Sequence, residues 1–228
     1  MPGSPLEAVL FDVDFTICRP GPGLLPEAYA ERGLAHGLRL EPALFEASRL
    51  GALAELESGP GIEHDKEFWI SLTERIIHGM GGEGESVRAL AEAIVLAWEE
   101  AEHFELYEDV LPALAELRRH GMRLGLISNT ARDLPAFAAH HRLDVDVTIS
   151  VREHGKAKPD PSIFAAALTA LGVKPKAAAM VGDSPKDDVA GALALGMQAY
   201  LLDRGGLYPD YPARLNGLEE LADALGLA

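Results

Sequence analysis

Ala8-Val9-Leu10-Phe11-Asp12-Val13-Asp14-Phe15-Thr16 decides the fold: an apolar run ends in two aspartates separated by one valine. A short, unbroken apolar run reads as a strand buried on both faces, the habit of parallel sheets. Two carboxylates at its end are costly to hold together unless a cation or a reaction uses them. An acidic strand-end loop or a helix cap is the plainer alternative. Working outward, Leu124 to Ile127, Val145 to Ile149 and Ala177 to Val181 have the same form, and Ala199 to Leu202 adds a fifth run. Between them, Val110 to His120, Leu134 to His141, Pro161 to Leu171 and Pro185 to Leu195 read as helices. Alternating strands and helices with tight connections predict a doubly wound α/β sheet.

Residues 20–105 break this alternation. They open on Arg19-Pro20-Gly21-Pro22-Gly23, a linker composition, and then turn helical without a convincing strand. The last helix places Val87, Leu90, Ala91, Ile94, Trp98 and Ala101 on one face, as in a bundle. Trp69 and Trp98 are expected in that bundle's core. The predicted organisation is a sheet core from 1–19 and 106–228 carrying a helical insert over 20–105, with hinges at 20–23 and 105–109.

Composition narrows the function. With 228 residues, 48% hydrophobic, the chain can bury a full core. A single cysteine, Cys18, excludes an intrachain disulfide framework and a Cys-cluster metal site. The net charge of −16, with no Lys/Arg block to offset it, opposes nucleic-acid binding, so an anionic substrate must be drawn in by local cations. The opening Met1-Pro2-Gly3-Ser4-Pro5 has no basic region, and no apolar run is long enough to span a bilayer. A cytoplasmic protein without a membrane partner is expected, as monomer or homodimer. His140, His141 and His154 lack acidic or Cys partners at ligand spacing.

In open parallel sheets, function gathers at the carboxyl ends of the strands. Here those ends carry Asp12 and Asp14, then Ser128-Asn129-Thr130, then Gly182-Asp183-Ser184, with Lys158 in the connection after the third strand. These groups suit phosphoryl transfer, where positioning and charge neutralisation do most of the work. Asp12 would attack phosphorus, and Asp14 would protonate the leaving alkoxide and later deprotonate water. Ser128 and Asn129 would donate to phosphoryl oxygens, and Lys158 would neutralise developing charge. Mg²⁺ would be held by Asp12, Asp183 and the backbone carbonyl of Asp14. Asp188, with Thr16, would support the site from behind, Asp188 by orienting Lys158 or the metal's waters. Ser184 suits a helix N-cap, Pro185 the first helical position and Asp187 the third, which leaves Asp183 as the better ligand. Taken singly, the Ser-Asn pair also reads as a turn and Lys-Pro-Asp-Pro as a helix start.

Four motifs in order, Asp12-Val13-Asp14-Phe15-Thr16, Ser128-Asn129, Lys158-Pro159-Asp160-Pro161 with Ile163-Phe164, and Gly182-Asp183 followed by Asp188, resemble the haloacid dehalogenase-like hydrolase superfamily. The resemblance implies a Rossmann-like core, a mobile helical cap of the C1 type between the first two motifs, and Mg²⁺ dependence. Asp14, two residues after the nucleophile, resembles the phosphatases and phosphomutases rather than the dehalogenases. Many relatives have Gly where this chain has Phe15, so a different local turn, or a ring lining the site mouth, is expected. The expected function is hydrolysis of a small phosphorylated metabolite. The alternatives are a phosphomutase using the same residues and a non-catalytic binding or regulatory module.

Overall fold

The computed structural model describes residues 5–56 and 66–227. In chain order, β1 (Ala8–Phe11) and β2 (Cys18–Pro20) precede helices α1 (Pro26–Ala35), α2 (Phe45–Leu56), α3 (Lys66–Gly79) and α4 (Ser86–Ala97), then β3 (Phe104–Leu106). There follow α5 (Val110–Arg119), β4 (Arg123–Ser128), α6 (Leu134–His140), β5 (Val147–Ser150), α7 (Val151–His154) and α8 (Pro161–Leu171). The chain continues through β6 (Ala178–Gly182), a π-helical stretch over Pro185–Ala190, α9 (Gly191–Ala194), β7 (Gln198–Leu202), β8 (Arg214–Leu215) and α10 (Leu221–Ala224). Two compact units result: the described residues up to Arg19 together with those from Glu105 on, and Pro20–Phe104.

The first unit is an α/β, Rossmann-like fold. Its six-stranded sheet runs β5-β4-β1-β6-β7-β8, and all its pairings are parallel. All four β1 side chains are buried, as an apolar run with strands on both sides requires. Ala8 to Phe11 pair with Arg123 to Leu126 on one side and with Ala178 to Val181 on the other. The chain therefore leaves β1, builds outward on the β4 side and returns to build on the β6 side. This is the topological switch that opens a crevice beyond the strand ends. The Asp12 N–H donates to the Val181 carbonyl at 2.9 Å, so Asp12 is held at that crevice by backbone.

Helix α8 shows how local sequence fixes the neighbouring loop. The Asp160 side chain accepts from the Ser162 N–H at 2.9 Å, Pro161 occupies the first turn, and Gly172 closes the helix with φ 66°. Ile163, Phe164, Ala167, Leu168 and Leu171 form its buried stripe, in one cluster with Leu10, Ala178 and Met180. Full burial of each Leu, Ile or Phe contributes about 1.5–3 kcal/mol. The anchored stripe begins just past Lys158, which is thereby held at the sheet edge.

Four elements depart from the sequence reading. The helix expected over Pro185 to Leu195 opens as a π-helix, because the Asp188 and Val189 N–H groups both reach the Ser184 carbonyl, at 3.1 and 3.2 Å. At the margins of the segment read as strandless, β2 and β3 pair as a two-stranded sheet; three residues are too few to show alternation. The two-residue β8 was invisible for the same reason.

The second unit has its own core, with Tyr29, Leu40, Leu72, Ile76, Ile77, Leu90 and Ile94 buried together. Trp98 packs against it and donates to the Tyr29 hydroxyl at 3.1 Å. Trp69 corrects the expectation of a core residue: it is 42% exposed, because Phe68 and Ile70 on either side of it take the core-facing positions of that turn. Among the described residues no helix is long and apolar enough to cross a membrane.

Candidate active site

Asp12, buried at the end of β1, accepts hydrogen bonds through both oxygens. Thr16 Oγ1 donates to Oδ2 at 3.2 Å and the Lys158 ammonium donates to Oδ1. Lys158 also donates to Asp188 Oδ1 at 2.6 Å, and Asp188 Oδ2 accepts the Ser184 N–H at 3.0 Å. Asp188 is thus committed through both oxygens to orienting its neighbours. The close approach depends on Gly182: a Cβ there would lie 2.2 Å from the Asp188 carboxylate.

Asn129 grips the Lys158 backbone from the opposite side, its Nδ2 donating to the carbonyl at 3.0 Å and its Oδ1 accepting the N–H at 2.7 Å. Ser128 is buried, and its Oγ accepts the Thr130 N–H at 3.2 Å. Because a hydroxyl has one donor and two acceptor positions, its proton stays available. Asp14, partly exposed, pairs with Arg132 at 2.9 Å. Phe15 adopts φ 63°, so it takes up the left-handed backbone that Gly would supply, with its side chain 49% exposed.

Electrostatics mark a shortage of positive charge. Oxygens of Asp12, Asp183 and Asp188 lie within 4.8 Å of one another around one ammonium. Burial pushes the Asp12 carboxyl well above the usual range; Lys158 draws it down, while Asp188 and Asp183 push it up again. Asp183 is raised to about 6, by burial first and by Asp188 next. Lys158 is held above its ordinary value because Asp12 and Asp188 outweigh the opposing effect of burial. A hard, oxygen-only donor set with surplus negative charge fits a divalent cation such as Mg²⁺.

All the sequence-derived site residues therefore lie at one sheet edge. Two arginines were missed. Arg132 follows β4 two residues beyond Thr130, and Arg204 follows β7. Arg204 donates to the Thr16 carbonyl at 3.0 Å and to both Asp109 oxygens at 2.9 Å, and lies 4.0 Å from the Tyr107 ring centroid. In the helical unit, Arg32 donates to the Gly23 carbonyl and Arg49 pairs with Glu46.

The family model for haloacid dehalogenase-like hydrolases matches residues 6–196. The chain belongs to this family. Within the haloacid dehalogenase-like hydrolases, its relatives include phosphatases. A phosphoserine phosphatase of Thermus thermophilus is 38% identical over 195 residues, covering 78% of this chain and 76% of its own. A glyceraldehyde 3-phosphate phosphatase of Methanopyrus kandleri is 33% identical over 209 residues, covering 88% and 85%. The crystal structure of a HAD phosphatase from Thermococcus onnurineus matches with a TM-score of 0.66 at 27% identity, over 97% of this chain and 98% of that one. This haloacid dehalogenase-like hydrolase is a phosphatase.

Proposed function

We propose that this phosphatase hydrolyses a small phosphorylated metabolite through a covalent intermediate on Asp12. The observation that carries the reading is the buried Asp12 carboxylate held between Thr16 and Lys158 at the switch point, two residues before a second, less buried carboxyl. Asp12 attacks phosphorus as the bond to the leaving oxygen breaks, and Asp14 gives that oxygen a proton. Asp14 then takes a proton from water, whose oxygen attacks phosphorus and releases Asp12.

Ser128 donates its free proton to a phosphoryl oxygen, and Lys158 offsets charge on the transferring group. Asn129, with Oδ1 and one Nδ2 hydrogen on the Lys158 backbone, positions that lysine and keeps its second Nδ2 hydrogen for a phosphoryl oxygen. Asp188 shares that positioning role from the other side. Mg²⁺ would be held by Asp12, Asp183 and the Asp14 carbonyl, and would relieve the repulsion between a carboxylate nucleophile and an anionic substrate. We read the Pro20–Phe104 unit as the cap that admits substrate and shields the transfer from water.

The relatives named for phosphoserine and glyceraldehyde 3-phosphate suggest small phosphomonoesters for the first panel. Phosphate release is measured across that panel with Mg²⁺ and with EDTA, beside Asp12→Asn. Release by the wild type with Mg²⁺ alone, and a loss of about a thousandfold or more in the folded variant, is expected. Substantial turnover by Asp12→Asn would overturn the assigned nucleophile. Isomerisation of a sugar phosphate without phosphate release would replace the hydrolase with a mutase.

A further inference from the structure

We infer that Arg132 is the positioning residue of the acid–base step, tethering Asp14 through one carboxyl oxygen so that the other is left for the travelling proton. The inference rests on Asp14 acting as the acid and base described above.

The geometry divides the Asp14 carboxyl in two. Oδ1 receives the Arg132 guanidinium at 2.9 Å and, more weakly, the Cys18 thiol at 3.9 Å. Among the described residues no hydrogen bond reaches Oδ2. Arg132 itself is only 1% exposed, with its guanidinium carbon 5.2 Å from the Phe137 ring centroid. Its stem is braced too: the Arg132 N–H donates to Thr130 Oγ1 at 3.2 Å, and the Thr130 N–H donates to Ser128 Oγ at 3.2 Å. One loop thus presents the hydroxyl proposed to bind phosphate and the cation that fixes the acid, so their spacing is set together.

Stability alone does not account for this pair. Burying a guanidinium carries a desolvation cost that its partner roughly repays, and apolar residues of similar volume would serve the core as well. What an apolar residue would not supply is orientation. In the transfer to Asp12, the Asp14 O–H bond breaks, the proton goes to the departing alkoxide oxygen, and the electron pair stays on Oδ2. In the hydrolytic step Oδ2 takes a proton from the attacking water. A carboxyl free to turn would spend time with neither oxygen in line.

The test compares two leaving groups. The para-nitrophenolate of an aryl phosphate departs without needing a proton, whereas the alkoxide of an alkyl phosphate needs one. We would measure kcat/KM for para-nitrophenyl phosphate and for an alkyl phosphate that the wild type hydrolyses, in Asp14→Asn, Arg132→Gln and Arg132→Lys. The aryl-to-alkyl ratio within one sample cancels the fraction folded, and Arg132→Lys, which keeps the charge, covers the case in which Arg132→Gln does not fold. For Asp14→Asn the ratio is expected to rise by about 10²–10⁴-fold, the usual range for a general acid. For Arg132→Gln it is expected to rise at least about tenfold, with Arg132→Lys between it and the wild type. If the arginine variants lose both activities equally while Asp14→Asn shifts the ratio, Arg132 is structural and the inference is overturned. If Asp14→Asn leaves the ratio unchanged, the acid–base reading of Asp14 falls and takes the inference with it.

Discussion

Phe15 stands in a backbone conformation that costs an ordinary residue about 1–2 kcal/mol, with half its side chain in water. Glycine would remove that strain but lose about 0.5–1 kcal/mol through the freedom of its unfolded chain. Phe15→Gly is therefore expected to raise stability by up to about 1 kcal/mol, seen as a higher urea midpoint at unchanged slope. A lower midpoint would show that packing of the buried half of the ring outweighs the strain. At this scale the sequence was legible wherever a polar residue ended an apolar run, which is how Asp12, Asp14, Ser128 and Asp183 were placed at or beyond the strand ends. Arg132 was not, since burial of a guanidinium leaves no trace in the linear pattern when its partner, Asp14, lies far away in the sequence. That the Asn129 side chain also grips the Lys158 backbone was not legible, since its partner lies on a distant loop.

The elements hold these residues through close approaches that can be broken singly. The end of β6 passes so near Asp188 that Gly182→Ala must displace its carboxylate from Lys158 and Ser184. A loss of about tenfold to a hundredfold in kcat is expected from a displacement of this kind, checked on folded protein with the best substrate of the panel. Wild-type kcat would mean that the loop absorbs the methyl group. At the start of α5, burial pushes the Asp109 carboxyl up, but Arg204 and the Leu218 N–H together bring it below the usual range. A carboxyl with a lowered folded value adds stability that is complete above its unfolded value, near about 4, and fades as pH falls through the lower folded one. Arg204→Met should cost roughly 1–3 kcal/mol at neutral pH, and the difference in Tm from wild type should narrow steadily below about pH 4. A difference independent of pH would assign the cost to lost packing on Tyr107 instead. The strands and helices of the core were readable from apolar runs and caps. The π-helix was not, because its extra residue per turn comes from the paired reach to one Ser184 carbonyl, which no periodicity encodes.

Across the whole molecule, a net charge of −16 repels the anions this phosphatase acts on. Added NaCl shortens the screening length from about 30 Å at about 0.01 M to about 10 Å at about 0.1 M. For a dianionic substrate, kcat/KM is expected to rise several-fold over that range with kcat unchanged. A flat or falling profile would mean that Lys158 and Arg132 dominate the approach despite the total charge. The split into two compact units was legible because the β–α alternation stops at a Pro/Gly stretch and resumes past it; the short pairing of β2 with β3 was too small to read. The order of strands in the sheet also governs how the molecule is made. β1 is synthesised before its partners, yet those of its Ala8 are Arg123 and Ala178, so the central strand has neither neighbour until translation has reached β4. Such distant pairing makes for slow folding and leaves an apolar edge open to self-association on the way. The strand that ends at Asp12 thus waits unpaired in the growing chain, and the net charge of −16 opposes contact between unfinished copies.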